Sequence, residues 1–308
     1  MADVAPPAGG AAPAPVPPAA APAAPSPPRG KERAGWLRRL PLNLAMLVVA
    51  LFWLLPTVGL LFTALRPREL FNTSGWWQAL TEPSQLTLDN FQRIIESDSF
   101  VRALANTALI TVPATFLVVM LGAMAAYAFA WIEFRGRELV FLIVVGLLVV
   151  PLQMALVPVA KLYGDLGIYG SIFGVVLFHA AFGLPFSIFL LRNFFASIPK
   201  DLTEAARLDG ASEPRIFVRI MLPLGLPAIA SLAIFQFLWV WNDLLVALVF
   251  ARTSNAPITV AIQQQLRQFG GSIDVISAAS FISMLVPLAV FFAFQRCFAA
   301  GLLAGSVK

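Results

Sequence analysis

Six stretches of the chain are apolar over about 20 residues each, the length at which a helix spans the hydrocarbon core of a bilayer. Only helices and closed barrels satisfy their backbone hydrogen bonds in lipid, and these stretches lack the alternating pattern of barrel strands. The sequence therefore predicts an all-α membrane protein with six transmembrane helices, at approximately 42–65, 105–131, 139–160, 171–191, 224–250 and 276–295.

The composition narrows the class of protein further. The chain is 59% hydrophobic and 12% charged, whereas soluble globular proteins carry roughly 25% charged residues. One cysteine, Cys297, and one histidine, His179, exclude an internal disulfide and any cysteine-rich or multi-histidine metal cluster. We therefore expect no metal site. Basic loops on one side of a membrane explain the net charge of +5, so nucleic acid is not an expected partner.

The distribution of lysine and arginine predicts how the helices are oriented. If the N-terminus is cytoplasmic, the segments on that side hold fourteen of these residues and the outer loops hold seven. Cytoplasmic loops of membrane proteins are enriched in lysine and arginine. The sequence therefore predicts an even number of spans with both termini in the cytoplasm.

The N-terminal segment has a composition unlike the rest of the chain. Residues 1–28 contain eleven alanines and ten prolines, a combination that buries no core and interrupts a helix. We predict a disordered cytoplasmic tail over residues 1–35 and a transmembrane domain over residues 36–308. Within that domain, the longest cytoplasmic loop between two spans covers about 192–223.

This loop has the pattern of a rigid surface helix. Asp201 and Glu204 have the spacing of a capping box, and Gly210 is suited to end the helix in a left-handed conformation. Ala205 and Ala206 give the helix a smooth face, and Glu204 offers one charge to a basic partner. The pattern favours a helix that docks in a groove of another protein, although a solvated loop of good helix formers has the same residues.

A second helix is predicted directly after the first. Ser212 is suited to cap it, and Ile216 and Ile220 share one of its faces. We expect Leu222 and Pro223 to stop this helix where the fifth apolar stretch begins, because proline has no N–H to donate.

The loop resembles the signature of importer-type ABC permeases. That signature is Glu-Ala-Ala, three residues, Gly, nine residues, Ile, one residue and Leu-Pro, and the loop keeps every spacing. The resemblance implies that the loop is a coupling helix, which docks on an ATPase subunit. The residues to which it assigns this role are Glu204, Ala205, Ala206, Asp209, Gly210, Ile220, Leu222 and Pro223.

Motifs outside the loop resemble the second permease subunit of maltose-type carbohydrate importers. These motifs are Pro151-x-Gln153, Pro158, Leu166-Gly167, Trp241-Asn242-Asp243, and Gly301-Leu302 with Gly305 and Val307-Lys308. A similarity to α-glucoside transporters lies in Gln263-Gln264-Gln265-Leu266-Arg267 and Gly270-Gly271. The resemblance covers residues 40–308. It implies a type I ABC importer permease for a carbohydrate, such as an α-glucoside or a maltose-like oligosaccharide.

The sequence contains no Gly-x-x-x-x-Gly-Lys-[Ser/Thr] phosphate loop, so we do not expect the chain to hydrolyse ATP. The resemblance implies a non-catalytic subunit that binds no cofactor, while two partner ATPase subunits bind ATP and Mg. It also implies a second homologous permease subunit as heterodimer partner and an extracytoplasmic sugar-binding protein. The expected location is the cytoplasmic membrane of a bacterium or archaeon, in contact with membrane lipid.

Polar and aromatic side chains within the predicted spans are candidates for a solute pathway. A sugar that leaves water loses hydrogen bonds, and an unpaired buried hydroxyl costs about 1–3 kcal/mol. Gln153, Asn242 and Asp243 are able to replace such bonds, and Trp239 and Trp241 to stack on a sugar ring. Helix–helix hydrogen bonds explain the two amides equally well, and a position at the membrane interface explains the carboxylate equally well.

Other functions are also compatible with parts of the sequence. An ABC permease for an amino acid, a peptide or a phosphonate would carry the same coupling signature. A secondary transporter needs no ATPase, but it usually shows two related halves, and the sequence shows no internal repeat. An intramembrane enzyme would need a metal cluster or a nucleophile with a base, which one histidine and one cysteine in different stretches support poorly.

Overall fold

The computed structural model is all-α in the part of the chain that it describes, which comprises residues 31–71, 73–268 and 273–304. This part contains no strand, in agreement with the predicted fold class. Its α-helices are, in chain order, α1 (Lys31–Ala64), α2 (Arg68–Phe71), α3 (Asp89–Ile95), α4 (Asp98–Trp131), α5 (Arg137–Leu147), α6 (Leu152–Asp165), α7 (Ile172–Phe195), α8 (Lys200–Leu208), α9 (Glu213–Ile216), α10 (Leu222–Trp241), α11 (Leu245–Phe250), α12 (Ile258–Gln268) and α13 (Ile273–Ala304).

The chain divides into two units, residues 1–54 and residues 55–308. The first is described only as the beginning of α1, which starts at Lys31 within the predicted tail. Most of that tail, at residues 1–30, and the last glycine motif, at residues 305–308, lie outside the described residues. All contacts described below lie within the second unit.

Among the described residues, five helices are long and apolar enough to cross a bilayer, and a bent pair of helices brings the number to six if it is one span. The five are Arg39–Ala64, Asp98–Trp131, Ile172–Phe195, Glu213–Trp241 and Ile273–Gln295. Each falls on one of the apolar stretches found in the sequence, although several are longer than predicted. Helix length was underestimated because polar residues at the ends of these helices do not interrupt them.

The predicted third span, 139–160, is not one straight helix. It consists of α5 and α6, whose axes differ in direction by 98°. The break lies at Pro151, which has no N–H for a helical hydrogen bond and disfavours helical geometry at Val150. The prediction of a continuous third helix was therefore wrong, and hydropathy alone did not register the proline.

The predicted fifth span, 224–250, is also interrupted. Helix α10 ends at Trp241, and the short helix α11 starts only at Leu245. At its other end this span extends further than predicted, because the helix runs without a stop from Glu213. The Leu222-Pro223 pair does not end a helix, contrary to the prediction from the sequence.

Helices α4 and α7 pack along much of their length, α10 packs against both, and α13 packs against α10. Helices α4 and α7 approach closely at Gly122, where an added Cβ would lie 2.1 Å from Ser187 Oγ. A residue without a side chain allows two helix backbones to approach this closely. The small residue that the sequence places in α4 is therefore used for helix packing.

The two ends of this bundle carry different elements. At one end, which we call the coupling end, the last turns of α4 and α7 lie beside α8 and α9. At the opposite end, the loop after α11 is joined to α4, since the Asn106 amide donates to the Ala256 carbonyl at 3.2 Å and the Ile258 N–H donates to Thr107 Oγ1 at 2.8 Å.

Candidate functional site: a coupling helix and two cavities

The N-terminus of α8 is set by a proline. Pro199 occupies the N-cap position with φ −58° and ψ 135°, and no side chain caps the helix. Asp201, predicted as the cap, lies in the first turn instead, so the predicted capping box with Glu204 is wrong. Proline has no side-chain oxygen and is therefore unable to cap the first N–H groups of the helix. The Asp201 carboxylate still complements the positive end of the helix dipole.

The C-terminus of α8 ends as the sequence predicts. Gly210 has φ +78°, in the left-handed region that favours glycine. Its N–H donates to the Arg207 carbonyl at 3.0 Å, and the Ala211 N–H donates to the Ala206 carbonyl at 2.9 Å. These two bonds form a Schellman motif, which closes the helix and turns the chain sharply towards α9.

One side of α8 faces away from the rest of the chain. Glu204 and Ala205 are exposed on this side, together with Leu202 and Leu208. Leu208 is 89% exposed and Leu202 is 45% exposed. The exposed face thus combines apolar side chains with a carboxylate, the composition of a docking surface with an apolar centre. The sequence interpretation missed Leu208, although its spacing from Ala205 on a helix could have revealed it.

The other side of α8 packs on the chain itself. Thr203 is buried, and Ala206 packs against the hydrophobic core at the coupling end. The sequence assigned Ala205 and Ala206 to one smooth outward face, and the structure corrects this, because residues adjacent in a helix point about 100° apart. Of the two alanines, only Ala205 lies on the exposed face.

The second part of the signature, residues 213–222, runs from α9 into the first turn of α10. Helix α9 begins after Ser212, whose side chain makes no capping bond, and it passes through a π-helical turn at Phe217–Met221 into α10. The Leu222 N–H donates to the carbonyl of Phe217, five residues back. This wider turn carries the helix past Pro223, which has no N–H to donate.

Ile220 and Leu222 pack on the core at the coupling end. Pro223 is exposed at the surface of the helix. Asp209 is exposed as well, and it occupies the C-cap position of α8. The structure therefore brings the signature residues together in one segment, of which the first part faces outward and most of the later part faces the chain.

Charged and polar groups fix α8 to its neighbours. Arg207 Nε donates to Glu213 Oε1 at 2.8 Å, and the Tyr127 hydroxyl donates to the other carboxylate oxygen of Glu213. Arg207 also reaches the Trp131 carbonyl at 3.4 Å. The hydrogen bond that Arg207 donates to Glu213 raises the pKa of Arg207, against the smaller opposing effect of burial. The loop sequence gave no signal for Tyr127, which lies 86 residues before its partner.

Asp243 lies in the break between α10 and α11. Its two carboxylate oxygens accept from the backbone N–H groups of Val246, at 3.3 Å, and Ala247, at 3.0 Å. His179 Nε2 lies 3.6 Å from the same carboxylate. A carboxylate at the start of a helix satisfies N–H groups that have no partner within the helix. In this structure Asp243 holds the chain at a helix break, and its predicted role in the pathway stays a prediction.

The two tryptophans of α10 have different environments. Trp241 is 4% exposed, stacks on Phe237, and donates its indole N–H to the Ser283 carbonyl at 3.1 Å. Trp239 is exposed and contacts the ring of His179 edge-on. Of the two, Trp239 has the more accessible surface for a solute.

Asn242 lines a cavity of about 400 Å³ between α10, α12 and α13. Apart from Asn242, polar groups in the cavity wall come from Ser280 and Ser283. Gln153 does not line this cavity; it is exposed in the first turn of α6. Of the two amides that the sequence placed in the same pathway, only Asn242 lines this cavity.

A second cavity, of about 360 Å³, lies at the opposite end of the bundle. Arg93, Arg102 and Asn106 line it together with Gln264 and Gln265. The two glutamines belong to the stretch that resembles α-glucoside transporters. The sequence interpretation missed the arginines, because only the fold brings the start of α4 next to α12.

Residues 118–303 match the family described as "Binding-protein-dependent transport system inner membrane component". The chain is 48% identical to the osmoprotective compounds uptake permease protein GgtD of Synechocystis sp., over 88% of this chain and 93% of that protein. It is 35% identical to the α-glucoside transport system permease protein AglG of Rhizobium meliloti, over 88% and 98%. It is also 35% identical to the trehalose transport system permease protein SugB of Mycobacterium tuberculosis, over 83% and 92%.

A similar fold occurs among solved structures. A chain from the crystal structure of a bacterial ABC transporter involved in the import of the acidic polysaccharide alginate superposes with a TM-score of 0.70. The two chains are 23% identical, and the superposition covers 89% of this chain and 99% of the other.

Proposed function

Because the chain belongs to the family of binding-protein-dependent transport system inner membrane components, we propose that it is the permease subunit of a carbohydrate importer driven by partner ATPases. The observation that carries this proposal is the exposed face of α8, where Leu208 and Ala205 project beside Glu204 from a helix closed by Gly210. A helix that is fixed to its own chain on one side and presents apolar groups on the other is suited to receive a partner. The partner of this face is an ATPase subunit, which binds ATP and Mg.

The proposed topology has six spans, with the bent pair α5–α6 as one of them, and both termini in the cytoplasm. The coupling end then faces the cytoplasm, where ATP is available. The test is a single cysteine at position 212 on a Cys297→Ser background, labelled with an impermeant thiol reagent. We expect labelling only after the cells are opened, and labelling of intact cells would contradict the topology.

The proposed solute is a neutral oligosaccharide of the α-glucoside class. Two relatives at 35% identity are named for α-glucosides and trehalose. The cavity beside Asn242 provides an amide and two serines in an apolar wall, a combination suited to sugar hydroxyls. A second homologous permease, two ATPase subunits and an extracytoplasmic sugar-binding protein complete the proposed assembly.

A second candidate solute follows from one specific observation. The relative at 48% identity is named for uptake of osmoprotective compounds. A small neutral osmoprotectant would use the same polar groups of the cavity, because many such compounds carry hydroxyl groups as sugars do. The two candidates differ in the size of the solute and in the stimulus for uptake.

Uptake in cells distinguishes these candidates. Cells that lack the gene for this chain are supplied with the wild-type gene, and the uptake of radiolabelled trehalose, a larger α-glucoside and a charged amino acid is measured at low and high salt. Uptake of the larger α-glucoside independent of salt supports the first candidate, and uptake of trehalose alone, and only at high salt, supports the second. Restored uptake of the amino acid alone would contradict both.

The pathway assignment is tested in the same cells. Asn242→Ala should lower sugar uptake by about three- to tenfold if the amide contacts the solute, since a hydrogen bond to a buried polar group contributes about 1 kcal/mol or somewhat more. Gln153→Ala, outside the cavity, is the matched amide control. Normal uptake with Asn242→Ala would remove this residue from the pathway.

A further inference from the structure

Three helix ends meet at the coupling end of the bundle, and one arginine lies between them. Arg207 in the last turn of α8 forms an ion pair with Glu213, the first residue of α9, at 2.8 Å. It also donates to the carbonyl of Trp131, the last residue of α4, at 3.4 Å. The last carbonyl groups of a helix lack partners within the helix and attract a positive charge, so this position suits a guanidinium group.

Two further bonds extend this arrangement into the bundle. The hydroxyl of Tyr127, a buried residue of α4, donates to Glu213. The indole N–H of Trp131 donates to the carbonyl of Phe195, the last residue of α7, at 3.2 Å. Through these bonds the single side chain of Arg207 is linked to α4, to α7 and to the helix that continues as α10.

We propose that Arg207, Glu213 and Tyr127 form a latch that fixes the orientation of the coupling helix on the spans, so that a displacement of α8 is transmitted to α4, α7 and α10. The three are positioning residues: they act on the solute pathway through the helices that they connect. This inference rests on the proposed docking of an ATPase subunit on α8.

Two features of the structure support the transmission of a displacement of α8 to the spans. Arg207 is on the part of α8 that turns towards the chain, whereas Leu208 and Ala205 are on the exposed face, so docking and latching use different side chains. In addition, the core beneath the latch contains Ile216, Met221 and Phe195, each fully buried. A well-packed core resists deformation, and a helix fixed to it moves with it.

The ion pair itself is partly open to solvent, since about 38% of the Arg207 side chain and 40% of the Glu213 side chain are exposed. Pairs of this kind contribute modestly to stability. We therefore expect loss of the latch to leave the fold intact and to show itself in the efficiency of transport.

The experiment uses the assembled transporter, with the partner permease, the ATPase subunits and the binding protein. The variants are Arg207→Met, Glu213→Gln and the combination of both, and the readouts are sugar uptake per ATP hydrolysed and the amount of ATPase subunit that copurifies. Each single variant should lower uptake per ATP by about two- to fivefold with copurification unchanged. The combination should cost no more than either single variant, because both remove the same interaction.

A charge exchange supplies the sharper test. Arg207→Glu alone places two carboxylates side by side and should lower uptake per ATP by about tenfold. Adding Glu213→Arg restores an opposite-charge pair, which the Tyr127 hydroxyl is still able to contact, and should recover at least half of the wild-type efficiency. If the exchanged pair is no better than Arg207→Glu alone, the latch is refuted. Additive losses in the combination of Arg207→Met with Glu213→Gln would refute it as well.

Two controls separate the latch from other causes. Arg215→Met removes a positive charge at an exposed position of α9. An equal loss of uptake per ATP in this variant would attribute the effect to net charge and overturn the latch. Tyr127→Phe removes only the hydroxyl and should give a loss in the same direction, and unchanged coupling would exclude Tyr127 from the latch. Leu208→Asp should lose the ATPase itself, so failure of the docking proposal is visible as intact copurification in that variant.

Discussion

The two parts of the coupling signature differ in what their residues contact. In the first part, residues 200–210, the side chains of Glu204, Ala205 and Leu208 are directed away from the chain. In the second part, residues 213–222, Ile216 is completely buried, and Phe217, Ile220, Met221 and Leu222 pack on the core at the coupling end. The first part thus presents the proposed docking surface, whereas the second packs on the chain that carries it. A motif that is continuous in sequence therefore combines two segments with different environments.

The largest effect is expected from a charge introduced into the second part of the signature, residues 213–222. Ile216→Asp places a carboxylate at a position with no solvent exposure in an apolar core, which should destabilise the chain by more than about 4 kcal/mol. We expect the variant to be degraded or to fail to assemble into the transporter. The measurement is the abundance of the variant chain in isolated membranes. Ile216→Val is the control and should accumulate normally, while normal abundance of Ile216→Asp would contradict the internal role of this part.

A charge on the docking surface should leave the chain intact and remove its partner. Leu208→Asp replaces the most exposed apolar side chain of α8, and loss of an interface anchor costs about 2–4 kcal/mol of binding free energy. Copurification of the ATPase subunit should fall by more than tenfold at normal abundance of the chain. Leu208→Met, similar in volume and polarity, should retain the ATPase. If Leu208→Asp copurified it as well, the exposed face would not be the docking surface.

A substitution of Gly210, which connects the two parts of the signature, is expected to have an intermediate effect. Gly210→Ala places a Cβ at φ +78°, which costs about 1 kcal/mol and favours a different exit from α8. Uptake per ATP should fall by a few-fold, because the two parts of the motif lose their mutual orientation. Asparagine tolerates the left-handed region, so Gly210→Asn should be closer to wild type. Equal losses in the two variants would place the requirement for glycine in a contact with the partner.

The smallest effect is expected from the charge at the edge of the docking surface. Glu204→Gln removes an exposed carboxylate, and exposed ion pairs contribute about 0.2–1 kcal/mol. Binding of the ATPase should weaken by no more than about fivefold and should become less sensitive to salt, since the attraction between exposed charges is screened. The measurement is copurification over a series of salt concentrations. An unchanged salt dependence would mean that Glu204 does not contact a basic group of the partner.

Hydropathy was sufficient to find the spans and insufficient to describe them. It located the helices because lipid requires about 20 apolar residues in each span, irrespective of their neighbours. It missed the bend at Pro151 and the break after Trp241, where single residues decide the backbone course within an apolar stretch. It also predicted a stop at Pro223, where a π-helical turn accommodates the proline instead.

The candidate solute residues illustrate a different difficulty. Side-chain chemistry grouped Gln153, Asn242 and Trp241, but only Asn242 lines the cavity beside α10, and Trp241 is largely enclosed by its own chain. Residues with the right functional groups are used as readily for helix packing as for solute contacts. Only the contacts of each side chain distinguish the two uses.

The sequence by itself determined that the chain is a helical membrane protein and where its coupling helix ends. Both are local properties: apolar length follows from the thickness of the bilayer, and Gly210 is suited to the left-handed turn because it has no Cβ. The tertiary structure decided which side of that helix is free and what fixes the other side. Tyr127 and Glu213 are 86 residues apart and meet only because α9 begins beside the last turns of α4 in the bundle. Contacts of this kind depend on how helices pack, which no local pattern of residues specifies.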